Sequence, residues 1–175
     1  EAKCYNPITL EEKNNLRKEF NIDLDTLIFI QLGRSQLRKL YPQTIESFIL
    51  FKKKYPNVKS KLLLHCSISE GWPFERLIKE GRLDIKDVLF TYFCRNCGKW
   101  ELKPFEGEEK DCRYCKAQKA QISAGVTSTI SNKEMSKIYG VADACVSCFT
   151  SGGFEFLNAE SLLCELPLLC TNYSA

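Results

Sequence analysis

The stretch LIFIQLGRSQLRK, residues 27–39, decides how this chain folds. Residues 27–32 are apolar almost throughout, as a strand covered on both faces inside a parallel sheet must be. Gly33 ends the run, and Arg34, Ser35, Gln36, Arg38 and Lys39 follow in a polar, basic turn. Open α/β sheets bind their ligands outside the carboxyl ends of strands, where strand order switches. A basic turn at that end is therefore a place to look for an anion.

The pattern repeats outward from this stretch. Upstream, TLEEKNNLRKEF (9–20) pairs Thr9 with Glu12 in a capping box that opens a short helix. Downstream of Pro42, Ile45, Phe48 and Ile49 mark one helix face, and Lys52, Lys53 and Lys54 fall in its last turn, where the dipole favours cations. Pro56 and Asn57 break it. Leu62–Cys66 predicts a second buried strand, Phe74–Glu80 a short helix and Val88–Phe93 a third strand. A cysteine cluster then interrupts, and the pattern resumes near Gln121. Ser131 with Glu134 opens another helix, to about Tyr139. ACVSCF (144–149) is a fourth strand, Ser151–Gly153 a turn, Asn158–Glu165 a helix and LPLLCT (166–171) a last strand. Strands alternating with helices imply right-handed βαβ units. The expected fold is α/β: a Rossmann-like parallel sheet with helices on both faces, spanning residues 1–175 with an insert at 94–115. The opening EAKCYNPITLEEKNNL has no signal-peptide plan, and the chain ends directly after a strand. A truncated domain is expected.

Composition narrows the function classes. Of 175 residues, 44% are hydrophobic and 27% charged, which excludes wholesale disorder. Lys plus Arg exceed Asp plus Glu by only three, too few for a dedicated nucleic-acid or membrane-surface binder. No apolar run approaches the roughly 18 residues needed to span a bilayer.

Nine of the ten cysteines fall into two groups. Cys66, Cys145, Cys148, Cys164 and Cys170 lie in apolar runs, where a free thiol acts as a small hydrophobe. In CRNCGK…DCRYCK, by contrast, Cys94, Cys97, Cys112 and Cys115 form two Cys-x-x-Cys pairs. Two such knuckles supply the four-sulfur tetrahedral site of structural zinc. Surface thiols or two redox pairs are the alternatives. A closed four-thiolate site has no open position, so the ion would fold the insert without doing chemistry. Within residues 94–116 the basic and acidic residues nearly cancel, which argues against nucleic acid as the ribbon's partner. Trp100 and Phe105 are expected to pack the hairpin or touch a partner. Cys145 and Cys148 share the spacing but sit on a strand, where residues three apart face oppositely. The thiol usage points to a reducing, cytoplasmic compartment.

Two segments meet the criteria for an anion site at the carboxyl edge. Arg34 and Lys39 follow the first strand, a guanidinium for bidentate contact and an ammonium for point charge. Gly152, Gly153, Phe154 and Glu155 follow the fourth strand, and glycines at a strand-to-helix turn let backbone amides approach an anion. Glu160, on the following helix, could accept hydrogen bonds from sugar hydroxyls.

In this order, Gly33-Arg34 with Lys39, Ser131–Glu134 to Tyr139, Ala142-Asp143 and GGFEFLNAESLLCELPLLCTNYSA (152–175) resemble the C-terminal, donor-binding half of a family-4 retaining glycosyltransferase of the GT-B fold. The resemblance spans nearly the whole chain apart from the cysteine insert. It implies that Arg34 and Lys39 hold the diphosphate of a nucleotide sugar. It also implies that Glu160 matches the second Glu of the paired-glutamate motif and binds ribose, and that backbone at Gly152–Glu155 meets the donor sugar. The first motif Glu falls on Gly152, while Glu155 and Leu157 replace the usual Gly and Pro. The missing carboxylate is either lost or supplied by Glu155. An unknown acceptor and an N-terminal GT-B half are the implied partners. Two other readings stay open: a non-catalytic glycosyltransferase-like binding module, and a zinc-ribbon adaptor for protein or nucleic acid.

Remaining candidates are weaker. Asp23-Leu24-Asp25 imitates a metal-binding Asp-x-Asp but precedes the first strand, at the opposite sheet edge. His65, the single histidine, ends the second strand and reads as structural. Tyr173 and Ser174 follow the last strand and could approach a ligand.

Overall fold

Capping chemistry sets the first element. Thr9 Oγ1 accepts a hydrogen bond from the Glu12 amide, and the Thr9 amide donates one to the Glu12 carboxylate, opening α1 (Leu10–Glu19) as expected. The computed structural model describes residues 4–125, 130–151 and 154–172. After α1 come β1 (Leu27–Leu32), α2 (Tyr41–Lys54), β2 (Ser60–His65), α3 (Phe74–Glu80), β3 (Val88–Cys94), β4 (Trp100–Pro104), β5 (Gln121–Ser123), α4 (Asn132–Val141), β6 (Ala144–Ser147), α5 (Phe156–Leu163) and β7 (Leu168–Cys170).

The sheet runs β4-β3-β2-β1-β6-β7, with β5 also on β3. From β3 through β7 the pairings are parallel. Chain order therefore leaves β1 towards β2 and β3 and returns to its other side at β6. That reversal is the topological switch point.

Residue alternation builds the two layers. Ile28, Ile30, Leu32, Leu63 and Leu89 face the core shared with α1, α4 and α5. Leu62, Leu64, Val88, Phe90 and Tyr92 face the core beneath α2 and α3. Period-two patterning on each strand thus satisfies both helical layers at once.

Several boundaries differ from the sequence reading, β2 (Ser60–His65, expected 62–66) and β7 (Leu168–Cys170, expected 166–171) among them. The insert adds two antiparallel strands to the sheet: β4 pairs Trp100 with Phe93, and β5 pairs Gln121 with Cys94. The first Cys-x-x-Cys is the hairpin turn between β3 and β4, so the insert continues the sheet. β6 stops at Ser147, short of Phe149, because the Cys148 carbonyl accepts from Leu40 N (3.2 Å) and Thr150 N donates to the Arg38 carbonyl (3.0 Å). Helix α5 begins at Phe156, two residues before the expected start.

Most thiols outside the cluster behave as small hydrophobes, Cys66, Cys145 and Cys164 being buried and Cys148 half-buried. Cys170 is a correction: it is exposed, because β7 is the edge strand. Trp100 leaves the hairpin to pack on Phe20 (5.2 Å between centroids) and donates to Glu134 (2.8 Å), joining the insert to α4. No helix among the described residues is long and apolar enough to cross a membrane.

Candidate anion-binding cleft and cysteine cluster

The turn after β1 is shaped by Gly33, whose φ of +127° is open to glycine but strained for other residues. Its amide donates to the His65 carbonyl (3.1 Å), and its carbonyl accepts from the Tyr41 hydroxyl (2.8 Å). The next turn presses on it. The Trp72 amide donates to Ser35 Oγ (3.0 Å) and its indole to the Gln36 carbonyl (3.1 Å). At Gly71, φ +66°, an added Cβ would lie 1.4 Å from the Ser35 carbonyl oxygen. The turn after β2 therefore clamps the basic turn in place, and the bonds to Cys148 and Thr150 hold it from the β6 side.

These contacts frame a cleft of about 460 Å³ at the carboxyl ends of β1 and β2. Gly33, Lys39, Phe154, Glu155 and Glu160, all anticipated from the sequence, line it together with Arg38, His65 and Tyr139. Arg34 lines an adjoining cavity of about 190 Å³, which shares Gly33 and His65 with the cleft. Gly152 and Gly153, and likewise Tyr173 and Ser174, lie outside the described residues.

Charge inside the cleft is partly paired. Lys39 Nζ bonds Glu155 Oε2, both side chains being nearly enclosed at 12% and 9% exposure. Arg38 stands 3.7 Å from the same carboxylate and donates to the Ser151 carbonyl (3.1 Å). Arg34 is exposed, and its side chain has no hydrogen bond or ion pair among the described residues. Glu160 accepts from the Tyr139 hydroxyl (2.7 Å). Burial, with the Glu160 carboxylate behind it, raises the Tyr139 phenol well above its ordinary value, so it stays a donor. Burial also draws His65 down to about 4, making it a neutral imidazole, and its Nδ1 is buried without a partner. Phe154, at 68% exposure, packs edge-on against Phe156 at the rim.

Sequence reasoning passed over Arg38, Tyr139 and the Ser35–Gly71–Trp72 clamp. Arg38 was legible as one more cation in the basic turn, but which cation reaches the cleft depends on the turn's path. Asp23 and Asp25 lie at the far edge as expected, both on Lys59 (3.0 Å).

At the carboxyl end of β3, the sulfurs of Cys94, Cys97, Cys112 and Cys115 lie within 4.8 Å of one another, the one such group of candidate ligands among the described residues. Sγ–Sγ separations are 3.7 Å for Cys94–Cys115 and 3.8 Å for Cys97–Cys112. Those match the edge of about 3.8 Å that a tetrahedron of ~2.3 Å metal–sulfur bonds requires. Between themselves the four thiols share charge unequally. The Asn96 amide, then the backbone at Ala117, hold Cys115 down to about 6. At Cys97 the Lys99 backbone is outweighed by desolvation and the three neighbouring thiols, which push it up to about 12. The four residues fit a divalent ion of zinc's preferences. Cys94 and Cys112 are buried, and each knuckle closes on itself through Gly98 N to the Cys94 carbonyl and Lys116 N to the Cys112 carbonyl (both 2.9 Å).

Among known proteins, no family model matches the chain, and no curated protein does. Solved structures do match. The chain is similar to the C-terminal domain of a glycosyl transferase group 1 family protein (LpcC) from Francisella tularensis, with a TM-score of 0.58 and 15% identity over 97% of this chain and 69% of that one. It is also similar to sucrose-phosphate synthase from Thermosynechococcus elongatus, with a TM-score of 0.57 and 17% identity over 98% of this chain and 33% of that one. At such identities the likeness is one of fold. The fold is the Rossmann-like α/β architecture of a GT-B C-terminal domain.

Proposed function

We propose that this chain is the donor-binding domain of a family-4-like retaining glycosyltransferase, taking a nucleotide-diphosphate sugar in the cleft between the β1 and β6 turns. The observation that carries the reading is the convergence of Gly33, Lys39, Arg38, Glu155 and Glu160 on one cavity at the switch point, with Arg34 next door. Open α/β sheets bind nucleotides there. The N-terminus of α5, which has no side-chain cap, adds its positive end to the same rim. The acceptor and the second GT-B half would come from outside the described chain, so glycosyl transfer is proposed for the whole enzyme.

In this reading Lys39 and Arg34 neutralise the diphosphate as the glycosidic bond breaks. Negative charge grows on that leaving group, so their contacts strengthen in the transition state and raise the rate beyond binding alone. Each charge-assisted hydrogen bond is worth about 1.5–3 kcal/mol. Glu160, oriented by Tyr139, would accept from ribose hydroxyls. The cleft takes no metal in this reading.

Calorimetric titration with a panel of nucleotide sugars tests the assignment. Lys39→Ala and Arg34→Ala should each weaken binding at least tenfold, and unchanged affinity in both would remove the cleft from consideration. A second reading, a binding module without turnover, is favoured by glycine at position 152, where the resemblance places a carboxylate. Sugar release by the whole enzyme separates the two, and no turnover with any donor supports the module.

Structural zinc is proposed for the four cysteines, supported by the sulfur spacing. The ion would tie the β3–β4 turn to the segment before β5 and hold Trp100 against α4. Elemental analysis should find one zinc per chain, and chelation should lower the thermal midpoint. A metal-free protein of unchanged stability would exclude it.

A further inference from the structure

The carboxylate of Glu155 stands in an unusual place. Glu155 is the residue before α5, in extended conformation with φ −89° and ψ 97°, yet its side chain makes no capping bond to the helix. It crosses the cleft to Lys39 and lies 3.7 Å from Arg38. Two cations therefore flank one carboxylate, which is nearly enclosed. The Asn158 amide bonds the Glu155 carbonyl instead (3.0 Å), and Phe156 and Leu157, the first residues of α5, line the cleft.

Such a carboxylate occupies the position an anion would take. Resting on the donor-site reading above, we infer that Glu155 is an internal counter-ion of the cleft, exchanged for the phosphate of an incoming ligand, and that it determines which anions the cleft accepts. Without ligand it keeps Lys39 and Arg38 oriented and neutralised, so that isolated low-charge anions gain little by entering. A ligand carrying a diphosphate brings more charge than the carboxylate it displaces, and it also meets the positive end of α5, which has no side-chain cap. Once displaced, Glu155 remains beside the bound ligand as an acceptor for hydroxyl groups.

The prediction differs in sign from that for an ordinary binding residue. Removing a contact weakens binding, whereas removing a competitor strengthens it. Glu155→Gln keeps the shape and the acceptor oxygen and deletes the charge, so the chain carrying it should bind inorganic pyrophosphate at least tenfold more tightly than the unaltered chain. Glu155→Asp, which keeps the charge, should stay within threefold. A parallel measurement follows the ion pair itself: acetylation of Lys39 by acetic anhydride at fixed pH, read by peptide mass spectrometry, should accelerate at least threefold in Glu155→Gln. Equal or weaker pyrophosphate binding by Glu155→Gln overturns the counter-ion role while leaving the donor site in place. If neither chain binds pyrophosphate, both readings fall together, even where Lys39 labelling responds to the substitution. Labelling that does not respond, with affinity unchanged, shows that the ion pair does not hold in solution and overturns the inference.

Discussion

Two clusters at opposite edges of the sheet use the same chemistry to different ends. At the amino edge Asp143 accepts from Lys13, from Arg17 and from the Ile28 amide, all at 2.7 Å. Arg17, 4% exposed in its side chain, spends its other donors on the carbonyls of Val141, Leu24 and Thr26. Nothing there is left to bind. At the carboxyl edge Glu155 also lies between two cations, but the Arg34 guanidinium has no partner among the described residues and the His65 Nδ1 is unsatisfied. A saturated charge cluster fastens α1, β1 and β6 together, whereas an unsaturated one keeps capacity for a ligand.

The sharpest way to break this comparison is to unsaturate the first cluster. Asp143→Ala strands a buried guanidinium, and losing one partner of such a pair costs about 3–5 kcal/mol. Urea unfolding should show that loss, and a change below 1 kcal/mol would mean the cluster is no more structural than a surface pair. Its acid response has a definite sign. Burial pushes the Asp143 carboxyl up, but Lys13, the Ile28 amide and Arg17 outweigh it and hold it below 3.8. The stabilisation is therefore complete above that value and is lost as pH falls through the lower, folded one.

His65 tests the second cluster. The unfolded imidazole takes its proton near 6.5 and the folded one only at about 4. Its contribution is thus present above pH 6.5 and disappears as pH drops towards 4, a change of roughly 3 kcal/mol at 1.36 kcal/mol per unit. Since this is the single histidine, the pH dependence of the unfolding free energy between 6.5 and 4 should flatten in His65→Gln. A slope equal in both proteins would mean the imidazole is not shielded from water.

How legible was this contrast in the chain itself? The layers were, because strands such as Leu27–Leu32 are apolar on both faces and capping boxes at Thr9 and Ser131 announce helices. The edges on which Lys39 and Glu155 sit followed from strand direction alone. The cysteine spacing anticipated a four-sulfur group, although β4 and β5 did not announce themselves: WELKP is short and mixed, and β5 is three residues long. What sequence could not give is partnership. Arg17 and Arg38 are both arginines in polar surroundings by sequence. One is buried among carbonyls and the other reaches the cleft, a difference made by loops meeting across more than a hundred residues. Asp143, read as one residue of a family pattern, is equally silent about the two cations it holds.

The smallest effect is expected at a third carboxylate group, and it fixes the lower end of the scale. Asp23 and Asp25 share Lys59 at the amino edge, so their geometry superficially repeats that of the other two clusters. Here, however, all three side chains are more than half exposed. Water already solvates them, and exposed pairs contribute about 0–1 kcal/mol, less with added salt. Lys59→Ala should therefore leave the unfolding midpoint unchanged within error and leave nucleotide-sugar affinity unchanged, with or without added manganese. A manganese-dependent change in donor binding in the unaltered chain, abolished by Asp25→Asn, would instead show that the Asp-x-Asp segment holds a catalytic cation. The assignment of the ligand cleft to the carboxyl edge would then have to be reversed.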